Sequence, residues 1–169
     1  MTYRTIDNNT LFAMFRAHSL LSVFFSMANH SSILLIEDSP GECELFRQAL
    51  IKSELDVALF TEHDIDAALH FLKTHEDLPS LTLLDWHLHN RHGDSFLQRL
   101  RSETRFVGIP VVILTTSDDA SDVTAAYVNG ANGYVVKPST FDQLVNLITD
   151  LYRYWLTWNR TVCLVRDGS

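Results

Sequence analysis

A chain of 169 residues, 46% hydrophobic and 20% charged, has material for one ordinary hydrophobic core and little for a second. Its 21 acidic residues outweigh 13 Lys and Arg for a formal charge of −8, and no cationic run exceeds a pair, which excludes nucleic acid as a direct partner because phosphate-backbone affinity comes from clustered cations. Cys43 and Cys163 fit neither a disulfide framework nor a zinc-ligand spacing, so the expected compartment is reducing and cytoplasmic.

Residues 1–30 read as an N-terminal extension. Leu11 to Ala28 is apolar but interrupted by Arg16, His18, Ser19, Ser22 and Ser26, a poor pattern for a membrane span or for the apolar stretch of a signal peptide. An amphipathic helix with Leu11, Phe12, Phe15, Ser19 and Ser22 on one face is open. Met27, just ahead of the first apolar run, is a candidate natural start.

From Ile33 onward, short apolar runs alternate with amphipathic segments. Strands are expected at Ile33–Ile36, Val57–Phe60, Leu81–Leu84, Val111–Leu114 and Gly133–Val136. Between them, helical spacing links Leu45, Phe46, Ala49 and Leu50 as one inward stripe, then Ile65, Ala68, Leu69 and Leu72, then Phe96, Leu97 and Leu100. A fourth helix spans about Ser121 to Asn129 and stops at Gly130. A fifth opens with a capping box, Thr140 and Gln143, and turns Phe141, Leu144, Val145, Ile148 and Leu151 inward. This is the pattern of an α/β doubly wound parallel sheet covered on both faces.

Ligands of such sheets bind outside the carboxyl ends of the strands. Here those ends carry Glu37 and Asp38, Asp85, Thr115 and Lys137. Crowded carboxylates repel unless a cation lies among them, and their oxygens suit a hard ion such as Mg²⁺. An Asp carboxylate is also a nucleophile that can form an aspartyl phosphate. A phosphoryl group in transfer spreads charge over its equatorial oxygens, which Lys137 and the Thr115 hydroxyl can meet. Taken singly, each residue has a plain structural use: an acidic helix start, a surface lysine, a turn proline.

Taken together, Glu37–Asp38, Asp85, Gly93 in the following loop, Thr115 after Pro110–Leu114, and Lys137–Pro138 resemble the receiver domains of two-component signalling, a flavodoxin-like, CheY-like family. The resemblance covers residues 31–153 and leaves 154–169 as an aromatic tail. It implies a sheet of order 2-1-3-4-5, Asp85 as phosphoacceptor, and Mg²⁺ held by Glu37, Asp38, Asp85 and the His87 main-chain carbonyl. It also implies Thr115 and Tyr134 as switch residues, and His87 and Ser117 as the pair that tunes dephosphorylation. Neither is a carboxylate or amide, so a moderate to long phosphoaspartate lifetime is expected. The segments Ile33–Pro40, Pro110–Ser117 and Tyr154–Leu156 further resemble stand-alone receivers that serve phytochrome-type histidine kinases.

One departure is His89, where the family has Pro. His87, His89 and His92 in one loop read either as exposed polar residues or as a transition-metal site. In the tail, Tyr152, Tyr154, Trp155, Trp158 and Val162–Val165 either fold back on the domain or support a homodimer. The tail is too short for an output domain, so output is expected through protein contact.

The expected function is therefore a single-domain response regulator, not an enzyme, whose partners are a sensor histidine kinase and a downstream protein. A relay intermediate serving a histidine phosphotransfer protein, and a binding module that is never phosphorylated, are the alternatives. A haloacid-dehalogenase-type enzyme lacks its second Asp, since His87 stands there, and a flavodoxin lacks its phosphate loop, since Ser39-Pro40-Gly41 is too short.

Overall fold

A computed structural model describes residues 31–89 and 91–161. Residues 1–30, including Met27, and Val162–Val165 with Cys163 lie outside the described residues.

Five apolar runs form one parallel sheet: β1 (Ser32–Ile36), β2 (Ala58–Glu62), β3 (Leu81–Leu84), β4 (Val111–Thr115) and β5 (Gly133–Val136). The order is β2-β1-β3-β4-β5, as expected. β1, β3 and β4 are buried along their whole length, which is why they read as continuous apolar runs. β2 lies at an edge and starts one residue later than expected. It extends to Glu62 because Thr61 and Glu62 pair with Leu35 and Ile36.

Side chains alternate across the sheet and divide the core in two. Leu34, Ile36, Leu84 and Ile113 face α2 (Ile65–Thr74), α3 (Gly93–Ser102) and α4 (Ala120–Val128). Ile33, Leu35, Leu83, Val112 and Leu114 face α1 (Pro40–Lys52) and α5 (Phe141–Leu151).

The helix stripes are narrower than the sequence pattern suggested. On α1, Phe46, Ala49 and Leu50 are buried, but Leu45 is 53% exposed. Each residue turns a helix by about 100°, so Leu45 points away from the face that its neighbour Phe46 buries. On α5, Ile148 and Leu151 are buried, Leu144 and Val145 partly so, and Phe141 is exposed, with the Lys52 ammonium 5.3 Å from its ring centre.

The helix ends follow local chemistry. Gly130, at φ +93°, closes α4: its N–H donates to the Tyr127 carbonyl and the Ala131 N–H to that of Ala126, a Schellman motif. Thr140 caps α5 by accepting from the Gln143 N–H at 3.4 Å. The Gln143 side-chain oxygen bonds the Thr140 hydroxyl at 3.0 Å, in place of the backbone bond of a full capping box.

After α5 the chain runs on as a π-helical segment, Tyr152–Trp158. Trp155 and Leu156 pack against the core beneath α1 and α5, whereas Tyr154 and Trp158 are exposed. The fold-back reading of the tail thus holds for Trp155 and Leu156.

One tertiary device has no local signature. The Arg101 guanidinium, on α3, donates to the carbonyls of Gly130 at 2.9 Å and Ile109 at 2.9 Å and to Asn132 Oδ1 at 2.8 Å, joining α3 to the turn between α4 and β5. A lysine cannot reproduce that fork. Arg101→Lys is expected to lower unfolding free energy by about 2 kcal/mol in urea denaturation, since it leaves part-buried carbonyls without donors.

Candidate functional site

Because all five strands are parallel, their carboxyl ends share one edge. Glu37 and Asp38 follow β1, Asp85 follows β3, Thr115 ends β4 and Lys137 follows β5. Lys137 reaches across this edge: its Nζ lies 2.6 Å from Glu37 Oε2, 3.0 Å from Asp85 Oδ2 and 2.7 Å from Glu42 Oε2. Burial pushes the Glu37 carboxyl above its ordinary range despite the Lys137 bond. Burial opposes the ammonium too, but the three carboxylates outweigh it and raise the Lys137 pKa. The lysine is therefore a fixed positive charge against Asp85.

Asp85 is held but reachable. Its Oδ1 accepts from the His87 N–H at 3.2 Å, and its side chain keeps 13% exposure. Thr115 is fully buried beside it in the sheet edge, and its Oγ1 accepts from the Ser117 N–H at 3.4 Å. Tyr134, half-buried, donates its hydroxyl to the Ser117 carbonyl at 3.1 Å. Asp38 turns to the neighbouring loop, where its Oδ2 accepts from both the backbone N–H and the ring of His89; these bonds outweigh burial and lower its pKa.

The three loop histidines take separate partners. His89 bonds Asp38, His87 Nε2 lies 2.8 Å from Asp122 Oδ2, and His92 meets His87 edge-on at 5.1 Å between ring centres. Among the described residues, no three His, Cys, Asp or Glu side chains are arranged as they stand to hold a metal ion. Cys43 donates to the Glu37 carbonyl at 3.4 Å, and burial raises its thiol pKa, as suits a packing residue.

Glu42 and Asp122 escaped the sequence reading. Both sit in the first turn of a helix, where an acid is ordinary, so no local signal separates them from helix-start residues. Gly93, by contrast, was singled out. A Cβ there would lie 2.8 Å from Cε3 of buried Trp86 and 3.1 Å from Leu84 Cδ2. Gly93→Ala is expected to cost about 2 kcal/mol in thermal or urea unfolding, because Trp86 has no room to move aside.

The model for the response regulator receiver domain matches residues 33–149. The chain belongs to that family. Among curated relatives, the probable methanogenesis regulatory protein FilR2 of Methanothrix harundinacea is 35% identical over 76% of this chain and 86% of its own length. Response regulator Rcp1 of Synechocystis is 33% identical over 73% of this chain and 88% of its own. The solved structure of the phosphorylated cyanobacterial phytochrome response regulator RcpA superposes with a TM-score of 0.73 at 27% identity, covering 80% of this chain and all of the other. The Mn²⁺-bound structure of Rcp1 superposes with a TM-score of 0.69 at 30% identity over 79% of this chain and 99% of the other. Among the described residues, no helix of this receiver domain is long and apolar enough to cross a membrane.

Proposed function

We propose that this receiver domain takes a phosphoryl group from the phosphohistidine of a sensor histidine kinase onto Asp85 and signals through an altered protein-binding surface. The observation that carries the reading is the Lys137 ammonium, 3.0 Å from Asp85 and 2.6 Å from Glu37, a fixed cation beside a reachable carboxylate.

In the transfer, an Asp85 oxygen forms a bond to phosphorus while the phosphorus–nitrogen bond of the donor breaks. The donor imidazole keeps that electron pair and takes up a proton. Lys137 neutralises charge on the phosphoryl oxygens, and the Thr115 hydroxyl offers a hydrogen bond to one of them. The His87 N–H keeps the carboxylate oriented.

The donor set also suits Mg²⁺: Glu37, Asp38 and Asp85, which follow adjacent strands at one sheet edge, are hard oxygen ligands. These three and the His87 main-chain carbonyl are the proposed ligands. The bound ion supplies charge neutralisation for the incoming phosphoryl oxygens. Asp38 must leave His89 to join them.

Thr115 and Tyr134 are the proposed switch pair, since both already bond to Ser117, through its N–H and its carbonyl. The likeness to the phytochrome response regulator RcpA and to the bacteriophytochrome response regulator RtBRR supports a phytochrome-type kinase as donor. The recipient of the signal is a downstream protein or a histidine phosphotransfer protein in the cytoplasm. Exposed Tyr154 and Trp158 support a homodimer.

The test is transfer from a phosphorylated phytochrome-type kinase in the presence of Mg²⁺. Label is expected to leave the kinase and map to the peptide holding Asp85. No label from the kinase or from acetyl phosphate would overturn the reading.

A further inference from the structure

Asp122, in the first turn of α4, receives two donors on a single carboxylate oxygen. His87 Nε2 lies 2.8 Å from its Oδ2, and the Ser117 hydroxyl donates to the same atom at 2.7 Å. These donors come from different loops, the one after Asp85 and the one after Thr115. The Ser117 bond is the main cause that lowers the Asp122 pKa, with His87 and the Trp86 indole adding to it. The carboxylate is therefore anionic near neutrality, with a side chain only 20% exposed.

We propose that Asp122 is a positioning residue that sets the lifetime of the phosphoryl group on Asp85, by holding the His87 ring, tied to the Ser117 hydroxyl, in a clasp where that ring cannot orient an attacking water. This rests on the phosphoacceptor reading above. In hydrolysis a water oxygen bonds to phosphorus and the phosphorus–oxygen bond to Asp85 breaks. The Asp85 carboxylate keeps the electron pair, inorganic phosphate departs, and the water's proton passes to solvent. A side chain that orients that water accelerates the step, and His87, whose backbone N–H already touches Asp85, is the nearest candidate. Its ring nitrogen is engaged elsewhere because Asp122 accepts from it.

The geometry separates this role from mere support of α4. The helix has its own cap, Asp119, whose Oδ1 accepts from the Ser121 N–H at 2.9 Å. The Asp122 contacts lead away from the helix, toward residues 35 and 5 positions earlier in the chain.

The experiment measures loss of label from the purified full chain after phosphorylation by acetyl phosphate with Mg²⁺. Asp122→Ala is expected to shorten the half-life about fivefold, a change of order 1 kcal/mol in the barrier. Asp122→Asn keeps an oxygen that can accept from both donors and is expected to stay within about twofold of the parent. Asp122→Ala combined with His87→Ala is expected to return to the slow rate. Should Asp122→Ala fail to fold, Asp122→Ser, too short to bridge the loops but a good helix-start residue, takes its place with the same expected shortening. An unchanged half-life in the alanine or serine variant overturns the clasp, and so does an acceleration that persists without His87. Failure of the unaltered chain to take label on Asp85 overturns instead the phosphoacceptor reading on which the clasp depends.

Discussion

Asp85→Asn is expected to remove phosphoryl acceptance altogether, to below about a thousandth of the parent rate with acetyl phosphate as donor. The amide has no anionic oxygen to attack phosphorus, yet its single oxygen can still accept from the Lys137 ammonium, 3.0 Å from Oδ2 in the parent, at the cost of the 3.2 Å bond that Oδ1 accepts from the His87 N–H. The fold therefore has no reason to fail. Stability is expected to hold or rise slightly, because Asp85 is one of the charges that raise the Glu37 pKa, and its removal relieves that repulsion. A phosphate-affinity gel beside a urea titration separates the two effects. A variant that takes label as fast as the parent would place the acceptor elsewhere.

Lys137→Met is expected to give the largest loss of stability, about 3 kcal/mol near neutral pH, because it strands a buried carboxylate rather than deleting a pair. The Glu37 side chain is 3% exposed, and its only cation within salt-bridge distance among the described residues is Lys137. The pH dependence follows from the direction of the Glu37 shift. Its pKa is already raised above the ordinary 4.5, and loss of the lysine removes bonds that hold it down, so it rises further. A group that binds its proton more tightly when folded makes stability fall as pH increases between its unfolded and folded pKa values. The penalty is therefore expected to be smaller at about pH 5 than at about pH 8. The parent should show no such slope from Lys137, whose own raised pKa keeps its contribution intact until pH exceeds the ordinary lysine value of 10.5. Phosphoryl acceptance is expected to fall as well, since no other cation faces Asp85 within salt-bridge distance among the described residues.

Most of the fold was legible because a doubly wound sheet writes itself locally. Each buried parallel strand is a short apolar run, each covering helix a periodic stripe, and both patterns survive without knowledge of any long-range contact. The errors fell where exposure depends on neighbours. Leu45 looked like part of a stripe and faces solvent, and β2 extends beyond its apolar run because β1 offers backbone partners for Thr61 and Glu62.

The acidic pair, Asp85, Thr115 and Lys137 were legible for a topological reason. In a parallel sheet every strand ends at the same edge, so residues that follow strands are neighbours however far apart they lie in the chain. Sequence alone thus determined the architecture, the set of residues at the carboxyl edge and the family resemblance. Only the tertiary structure decided what those residues bond to. That Glu42 shares the Lys137 ammonium, that His89 holds Asp38, that Asp122 reaches His87 in the loop after Asp85, and that Arg101 ties α3 to the α4–β5 turn all depend on groups meeting across 29 to 95 positions of chain. No local pattern encodes such pairings, because a polar side chain's partner is set by where the packed helices and loops deliver it, and the periodicity of its own segment carries no information about that place.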